Sequence, residues 1–394
     1  MALSASRRRF LLGLSSTMAA LPLGVRAWAS GTGPQRFVLV LLRGGMDGLA
    51  AIPPIGDPHY ASVRGKLALP PDAVISLDDT FGLHPALSPL ADWYTEGQLL
   101  PIHAVGLSYR GRSHFNAQDA LESGTASPQG ASTGWLNRAL AAMPGAQSAT
   151  AIGSTLPLVL RGSASAASVD PTRTTRTSQD FLSSVHDLYA RDPVLSTALT
   201  TALDTQDTVM ASGSSSGRRA SRTGRFQSGM EAAGTLMAAQ DGPRVMVVES
   251  TGWDTHARQG TAEGLLARQF QSLAEGLVSL RSGLGSTWNT TTVLCISEFG
   301  RTVAPNGTGG TDHGTGGVAL LAGGRVRGGQ VVADWPGLRP EDRTDRRDLR
   351  PTLATRQVFK AALHGGLGLS DAVIERAVFP GTADLRRPGG WFHG

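Results

Sequence analysis

Three short segments of this chain carry residue types that bind metal ions or move protons. Asp254 and His256 are separated by one residue, Glu298 stands three residues before Arg301, and His313 lies in a glycine-rich loop. Carboxylate oxygens and imidazole nitrogens are ligands that suit zinc and manganese. Asp-x-His is a common two-ligand unit, although it also arises often without a metal. Together the segments predict a site for a divalent metal.

Two further candidates lie earlier in the chain. Asp47 lies in the run Arg43–Gly48, which follows the first apolar segment. It is either a carboxylate at the end of a strand, available to a site, or part of a turn-forming Asp-Gly pair. Ser113 opens a helix that closes on Gly124. It is either a simple helix N-cap or a hydroxyl whose position near free backbone amides favours anion binding. The residues alone leave both interpretations of Ser113 open, and the neighbouring His114 joins the candidates.

Apolar runs position these candidates. Residues 36–42, 244–249 and 293–296 are strongly apolar and predict buried strands, each ending just before a candidate residue. Side chains at the ends of neighbouring strands meet at one edge of an open α/β sheet. We therefore predict an α/β fold with a mostly parallel central sheet and helices on both faces. A helix over 86–96, a strand over 156–160, a helix over 178–210 and a solvent-facing charged loop over 339–350 are also predicted.

Charge and cysteine content exclude some classes of protein. The net charge of +5 falls to +1 without residues 1–29, which contain four arginines and no acid. A nearly neutral chain offers no electrostatic basis for nucleic-acid binding. Cys295 is the only cysteine, so neither an internal disulfide nor a thiolate metal cluster can form. Because Cys295 lies within an apolar strand, we expect a buried, inert thiol.

The first 29 residues have the features of an export signal. Arg7 and Arg8 precede Arg9-Phe10-Leu11, a weakly hydrophobic stretch follows, and Ala27-Trp28-Ala29 has the form of a signal peptidase site. Paired arginines of this kind are typical of the twin-arginine pathway, with an ordinary secretory signal or short anchor as the alternative. We therefore expect residues 30–394 to form a single exported domain without a transmembrane segment. A low-complexity basic loop is predicted near 212–225.

Six motifs carry a resemblance to a known family. The chain is similar, from about residue 35 to its end, to the bacterial family called domain of unknown function 1501, within the alkaline phosphatase-like superfamily. The motifs are LRGGMDGL (42–49), FGLHPAL (81–87), SHFNAQD (113–119), TGWLNRAL (133–140), SEFGRT (297–302) and GTDHGTGG (310–317).

The resemblance implies one or two divalent ions, with zinc expected and manganese or calcium as alternatives, in a clamp about 4 Å wide. Asp47 and Glu298 resemble the ligands of one ion. Three further residues resemble the ligands of the other ion: Asp254, His256 and His313. Ser113 resembles the metal-activated nucleophile, and either Arg301 or Arg112 is expected to hold the substrate anion.

One departure from the superfamily bears on this ligand set. Phe299 stands where a histidine ligand is usual, and His114, Asp312 or His84 are the candidate substitutes. The resulting hypothesis is an exported, metal-dependent hydrolase of small phosphate or sulfate esters, carried to the periplasm or beyond by the twin-arginine translocase. The alternative is a non-catalytic exported binding or envelope protein on a degenerate phosphatase fold. A Ser/His/Asp hydrolase is a weaker third interpretation: Gly-x-Ser-x-Gly occurs at 130–134 and 213–217, but neither run follows an apolar strand-forming segment, as a nucleophile elbow does.

Overall fold

The structure, a computed structural model, describes residues 34–145, 147–171, 179–192, 196, 199–200, 203 and 222–393. The strands are β1 Arg36–Arg43, β2 Ile75–Ser76, β3 Gly82–Leu83, β4 Leu99–Gly106, β5 Ser148–Ile152, β6 Ser165–Val169, β7 Val245–Thr251, β8 Thr291–Ile296, β9 Gly317–Ala322 and β10 Leu353–Ala354. The helices are α1 Gly48–Ala51, α2 Tyr60–Arg64, α3 Ala91–Thr95, α4 His114–Ser123, α5 Trp135–Ala141, α6 Gln179–Tyr189, α7 Arg222–Ala238, α8 Leu265–Leu284, α9 Thr355–Leu367 and α10 Asp371–Val373.

An eight-stranded sheet forms the centre of the molecule. Its order is β10-β4-β9-β8-β1-β7-β5-β6. β9 is antiparallel to both of its neighbours, and every other pairing in this sheet is parallel. The carboxyl ends of β1, β4, β7 and β8 therefore lie at one edge, which β9 enters at its amino end. This arrangement confirms the predicted α/β class and largely parallel sheet.

Both faces of the sheet are covered, as the unbroken apolar run of β1 predicts. Val38, Val40 and Leu42 belong to a core shared with α7 and α8. Phe37, Leu39 and Leu41 belong to a second core shared with α5 and α9. Because side chains alternate along a strand, a run that is buried at every position must contact two layers.

Several local predictions are wrong at the level of single elements. Residues 156–160 are not a strand: Leu158–Leu160 forms a 3-10 turn in which Val159 and Leu160 are buried. β5 and β6 flank this turn instead, and their Ser-, Ala- and Thr-rich sequences lack the apolar signal of a strand. Within 86–96, Pro85–Leu90 is a 3-10 helix and only α3 is α-helical, since Pro89 cannot donate a helical hydrogen bond.

Other predictions fall partly or wholly outside the described residues. The export signal lies entirely outside them. Of the helix predicted over 178–210, α6 is described and helical. The basic loop predicted near 212–225 is described only from Arg222, where the chain is already helical, because Phe226 and Met230 anchor α7 in the core. Among the described helices, none is both long and apolar enough to cross a bilayer.

Candidate metal centre

The candidate residues gather at the sheet edge where the parallel strands end. The loop after β7 carries Asp254 and His256, the loop after β8 carries Glu298 and Arg301, and His313 precedes β9. The segment after β4 leads to α4 and its first residue, His114. The topology therefore brings together residues that are far apart in the chain.

Close backbone packing holds these loops together. Gly44, just after β1, has a φ of +125°, and a Cβ there would lie 2.5 Å from the backbone nitrogen of Asp254. A Cβ on Gly314 would lie 2.5 Å from the backbone of Arg301. Only glycine allows both approaches, which explains two of the glycines in the LRGGMDGL and GTDHGTGG motifs.

Asp254 lies at the centre of a cluster of three histidines. Its Oδ1 lies 3.0 Å from His256 Nε2 and 3.2 Å from His313 Nε2. Its Oδ2 lies 3.3 Å from His114 Nε2, and the Nε2 atoms of His256 and His313 are 2.9 Å apart. Three imidazoles thus direct the same ring nitrogen towards one carboxylate.

The other ring nitrogen of each histidine contacts an oxygen. His114 Nδ1 lies 2.7 Å from Glu298 Oε1, and His256 Nδ1 lies 3.0 Å from Asp312 Oδ1. His313 Nδ1 lies 2.8 Å from the backbone oxygen of Arg112. A metal-binding histidine usually donates its second N–H to such an acceptor, which fixes its tautomer and its orientation.

The donor set and its spacing fit a metal ion. Tetrahedral zinc with bonds of about 2.0 Å separates its ligand atoms by about 3.3 Å, close to the distances around Asp254. One ligand atom each from His114, Asp254 and His313 lies within 4.8 Å of the others. His114 Nε2 is buried and makes no hydrogen bond to any described residue. An imidazole nitrogen in that condition is readily explained as a metal ligand.

The charges of the cluster follow from its contacts. Burial disfavours ionised Asp254, but the 2.7 Å hydrogen bond from Arg301 and the charges of Arg301 and the neighbouring histidines together outweigh it and leave the pKa of Asp254 below its ordinary value. The hydrogen bond to Glu298 raises the pKa of His114. Burial lowers the pKa of His313, and a hydrogen bond from Asn306 lowers that of Asp312. The cluster therefore holds an ionised carboxylate beside imidazoles.

Glu298 contacts the cluster through His114, on the side of the ring that faces away from Asp254. Its side chain is 1% exposed, and Oε1 accepts hydrogen bonds from the Gly44 amide and Gln118 as well as His114. Burial would raise the pKa of Glu298, but these donors outweigh it and lower the pKa. The structure thus places Glu298 against His114, whereas the resemblance made it a ligand of a separate ion.

Asp47 is not brought into the histidine cluster. Its Oδ2 accepts from Arg64 at 2.6 Å and from Gln259 at 2.7 Å, and all three side chains are buried. Thr311 connects this group to the cluster by donating to Gln259 and accepting from Arg301. Asp47 is thus a buried ion-pair partner of Arg64, and its role as a ligand of one metal ion stays a prediction.

The two candidate arginines differ in accessibility. The Arg301 side chain is 0% exposed and is paired with Asp254, so it stabilises the carboxylate and does not reach a substrate in this conformation. The Arg112 side chain is 45% exposed and lies at the rim of the cluster. Of the two, only Arg112 is placed to contact an anion from solution.

Ser113 is the N-cap of α4, and its hydroxyl accepts weakly from the amide of Asn116 at 3.5 Å. The N-cap interpretation is thereby confirmed, while the nucleophile interpretation stays a prediction. Ser113 directly precedes His114 and is half-buried. The hydroxyl thus lies beside the cluster in sequence and at the N-terminus of a ten-residue helix.

Phe299 lies against the cluster, its ring centroid 4.9 Å from those of both His114 and His313. Its ring thus packs directly against two of the three histidines. His114 is the histidine that joins the cluster in its place.

The remaining candidates have structural roles. His84 is buried and lies outside the histidine cluster's contacts: its Nε2 contacts the backbone oxygen of Thr261, and its Nδ1 accepts from the Ala86 amide. Cys295 is buried, as predicted, and burial raises the pKa of its thiol to about 12.

The sequence analysis missed several supporting residues. Gln118 contacts Glu298, Asn306 contacts Asp312, and Arg347 donates to the backbone oxygen of His313. Gln118 lies within the SHFNAQD motif, which was its only local signal. Asp348 lies in a loop predicted to face solvent, yet its side chain is 0% exposed.

The fold and the site define an α/β protein with a histidine- and aspartate-based candidate metal centre. The chain belongs to the family described as "Protein of unknown function (DUF1501)", whose model matches residues 35–361. No curated protein matches the chain.

Several solved structures are distantly similar. The C-terminal periplasmic domain of EcEptC from Escherichia coli, in complex with Zn, is 11% identical, with 89% of this chain and 88% of that chain covered and a TM-score of 0.40. The phosphonate monoester hydrolase of Agrobacterium radiobacter is 13% identical, with 85% and 74% covered and a TM-score of 0.36. PsFucS1 sulfatase from Pseudoalteromonas sp. is 13% identical, with 86% and 68% covered and a TM-score of 0.35. At such low similarity these structures assign no residue roles to this chain.

Proposed function

We propose that this protein is an exported, metal-dependent hydrolase of small phosphate or sulfate esters on an alkaline phosphatase-like fold. The observation that carries the proposal is the convergence of three imidazole Nε2 atoms on Asp254, with each Nδ1 contacting an oxygen. Such an arrangement provides a ligand set and the outer contacts that orient it.

His114, Asp254, His256 and His313 would hold one divalent ion. A set rich in imidazole nitrogen favours zinc, with manganese next, and disfavours calcium, which prefers oxygen ligands. The side chains of Asp254 and His256 are 42% and 44% exposed, so the cluster is open to a ligand from solution. A bound ion would act there as a Lewis acid towards an ester oxygen.

The chain's own residues would then bind and attack the ester. Arg112 would contact the anionic oxygens, and the free amides at the start of α4 would add partial positive charge. Ser113 Oγ would give up its proton and form a bond to phosphorus or sulfur, while the bond to the leaving oxygen breaks and that oxygen takes up a proton to depart as the alcohol. Water would then release the acid and restore the hydroxyl of Ser113.

Export by the twin-arginine translocase to the periplasm or beyond remains part of the proposal. It rests on the arginine pair and the small-residue cleavage pattern of residues 1–29. A pathway that carries folded proteins suits a site assembled from residues distant in the chain.

One observation favours a second candidate, a non-catalytic binding protein. Both carboxylates that would hold a second ion are engaged internally, Asp47 by Arg64 and Glu298 by His114. A centre with a single ion could bind an anionic ligand without hydrolysing it. The two candidates differ in turnover and not in metal content.

The test combines metal analysis with an ester screen on the exported protein, purified without chelator. We expect about one equivalent of zinc or manganese in the wild type, and its loss in His313→Ala. Ser113→Ala should keep the metal and lose at least about 100-fold in turnover. Ser370→Ala is the matched control, because Ser370 also caps a helix, by accepting from the Val373 amide.

The outcomes separate the hypotheses. Well-folded protein that binds no metal, even when metal is supplied, would exclude the metallohydrolase. Bound metal without turnover of any ester would favour the binding protein. Equal turnover by Ser113→Ala and Ser370→Ala would remove Ser113 as nucleophile.

A further inference from the structure

Asp348 is a buried carboxylate with unusual surroundings. Its side chain is 0% exposed, and neither carboxylate oxygen makes a hydrogen bond to a described residue. Two arginines flank it instead: Arg112 Nη2 lies 3.5 Å from Oδ2, and Arg347 Nη1 lies 3.3 Å from Oδ1. A buried charge is costly unless it is paired and hydrogen-bonded, so the two arginines are what compensates Asp348.

Both of these arginines also hold His313. The backbone oxygen of Arg112 lies 2.8 Å from His313 Nδ1, and Arg347 Nη2 donates to the backbone oxygen of His313 at 3.0 Å. One contact orients the imidazole ring, and the other fixes the backbone from which the ring projects. Asp348 therefore lies between two groups that grip the same histidine from different sides.

We propose that Asp348 is a positioning residue for His313: its buried charge keeps Arg112 and Arg347 in place, so that His313 Nε2 faces Asp254. The inference rests on the proposed function, because it assumes that His313 is a metal ligand. It assigns a role to a loop whose charges were expected to face solvent.

Asp348→Asn is a mild probe of this role. Asparagine has nearly the same shape, and the backbone hydrogen bonds between Thr344 and residue 348 are independent of the side chain. Asp345→Asn is the matched control, since Asp345 lies 3.9 Å from the same Arg112 nitrogen but is 76% exposed.

The experiment measures zinc affinity by competition with a chromophoric chelator, and the visible spectrum of the cobalt-loaded protein. We expect Asp348→Asn to weaken zinc binding about 10- to 100-fold and to change the cobalt bands, as loss of outer contacts does. Asp345→Asn should match the wild type in both measurements. The cobalt spectrum reports the geometry at the metal, which a purely structural role for Asp348 would leave unchanged.

Three results would overturn the proposal. If wild-type protein binds no zinc, the proposed function and this inference both fail. If the wild type binds zinc and Asp348→Asn behaves like Asp345→Asn, only the inference fails. If Asp348→Asn unfolds before metal is added, Arg347→Gln takes its place: unchanged zinc affinity and an unchanged cobalt spectrum in that variant would equally refute the clamp on His313.

Discussion

The ion pair between Asp47 and Arg64 allows a direct test of whether Asp47 stabilises the fold or binds metal. Arg64 Nη2 lies 2.6 Å from Asp47 Oδ2, and the two side chains are 0% and 1% exposed. Arg64→Met would leave an uncompensated carboxylate in the interior, and Asp47→Asn would leave an uncompensated guanidinium. Either change should destabilise the fold by about 3–5 kcal/mol, the usual cost of breaking a buried ion pair.

The double variant should cost much less than the sum of the two single variants. Removing both charges also removes the penalty of a lone buried ion, and residues in contact couple by about 1–3 kcal/mol. Part of the loss will remain, because Arg64 Nη1 also donates to the backbone oxygens of Thr302 and Val303. Urea unfolding of the metal-free single and double variants measures this coupling.

Metal content measured on the same variants decides the role of Asp47. A buried ion-pair partner should lose stability in Asp47→Asn while folded protein keeps its metal. Loss of metal with unchanged stability would show instead that Asp47 is a ligand, as the family resemblance implied, and additive single and double variants would contradict the pairing. Asp342→Asn, which breaks an ion pair with the exposed Arg339, is the control and should change stability little.

Two further predictions concern other buried groups. Glu298→Gln keeps the shape of the side chain but removes the charge that orients His114, so zinc affinity should fall about 10- to 100-fold in chelator competition, and an unchanged affinity would contradict the outer-contact role. His103 is buried, and burial lowers its pKa from 6.5 to about 4. The unfolded chain binds a proton at His103 more tightly than the folded chain does. The contribution of neutral His103 to the free energy of unfolding is therefore complete above pH 6.5 and is lost as the pH falls towards 4. Urea unfolding at pH 7 and near pH 4 should therefore show a drop about 3 kcal/mol larger in the wild type than in His103→Gln, whereas parallel drops would refute it.

The sequence by itself determined the framework of this protein. A strand that is apolar at every position, such as β1, can be satisfied only between two layers, so the central sheet followed from residues 36–42. Chemistry-bearing residues just after such strands must meet at one edge when the strands are parallel. Local residues likewise predicted the helix N-cap at Ser113 and the burial of the Cys295 thiol.

Tertiary structure alone decided which polar groups became partners. His114 contacts Glu298 across 184 residues of chain, and Asp47 contacts Gln259 across 212. Local pattern reports whether a segment is helix or strand, but not which buried charge neutralises which. Asp348 shows the same limit, because a carboxylate in a charged loop looks solvent-facing until the loop folds over it. Tertiary structure pairs the buried carboxylate of Asp47 with Arg64 and that of Glu298 with His114, and a buried charge needs such a partner.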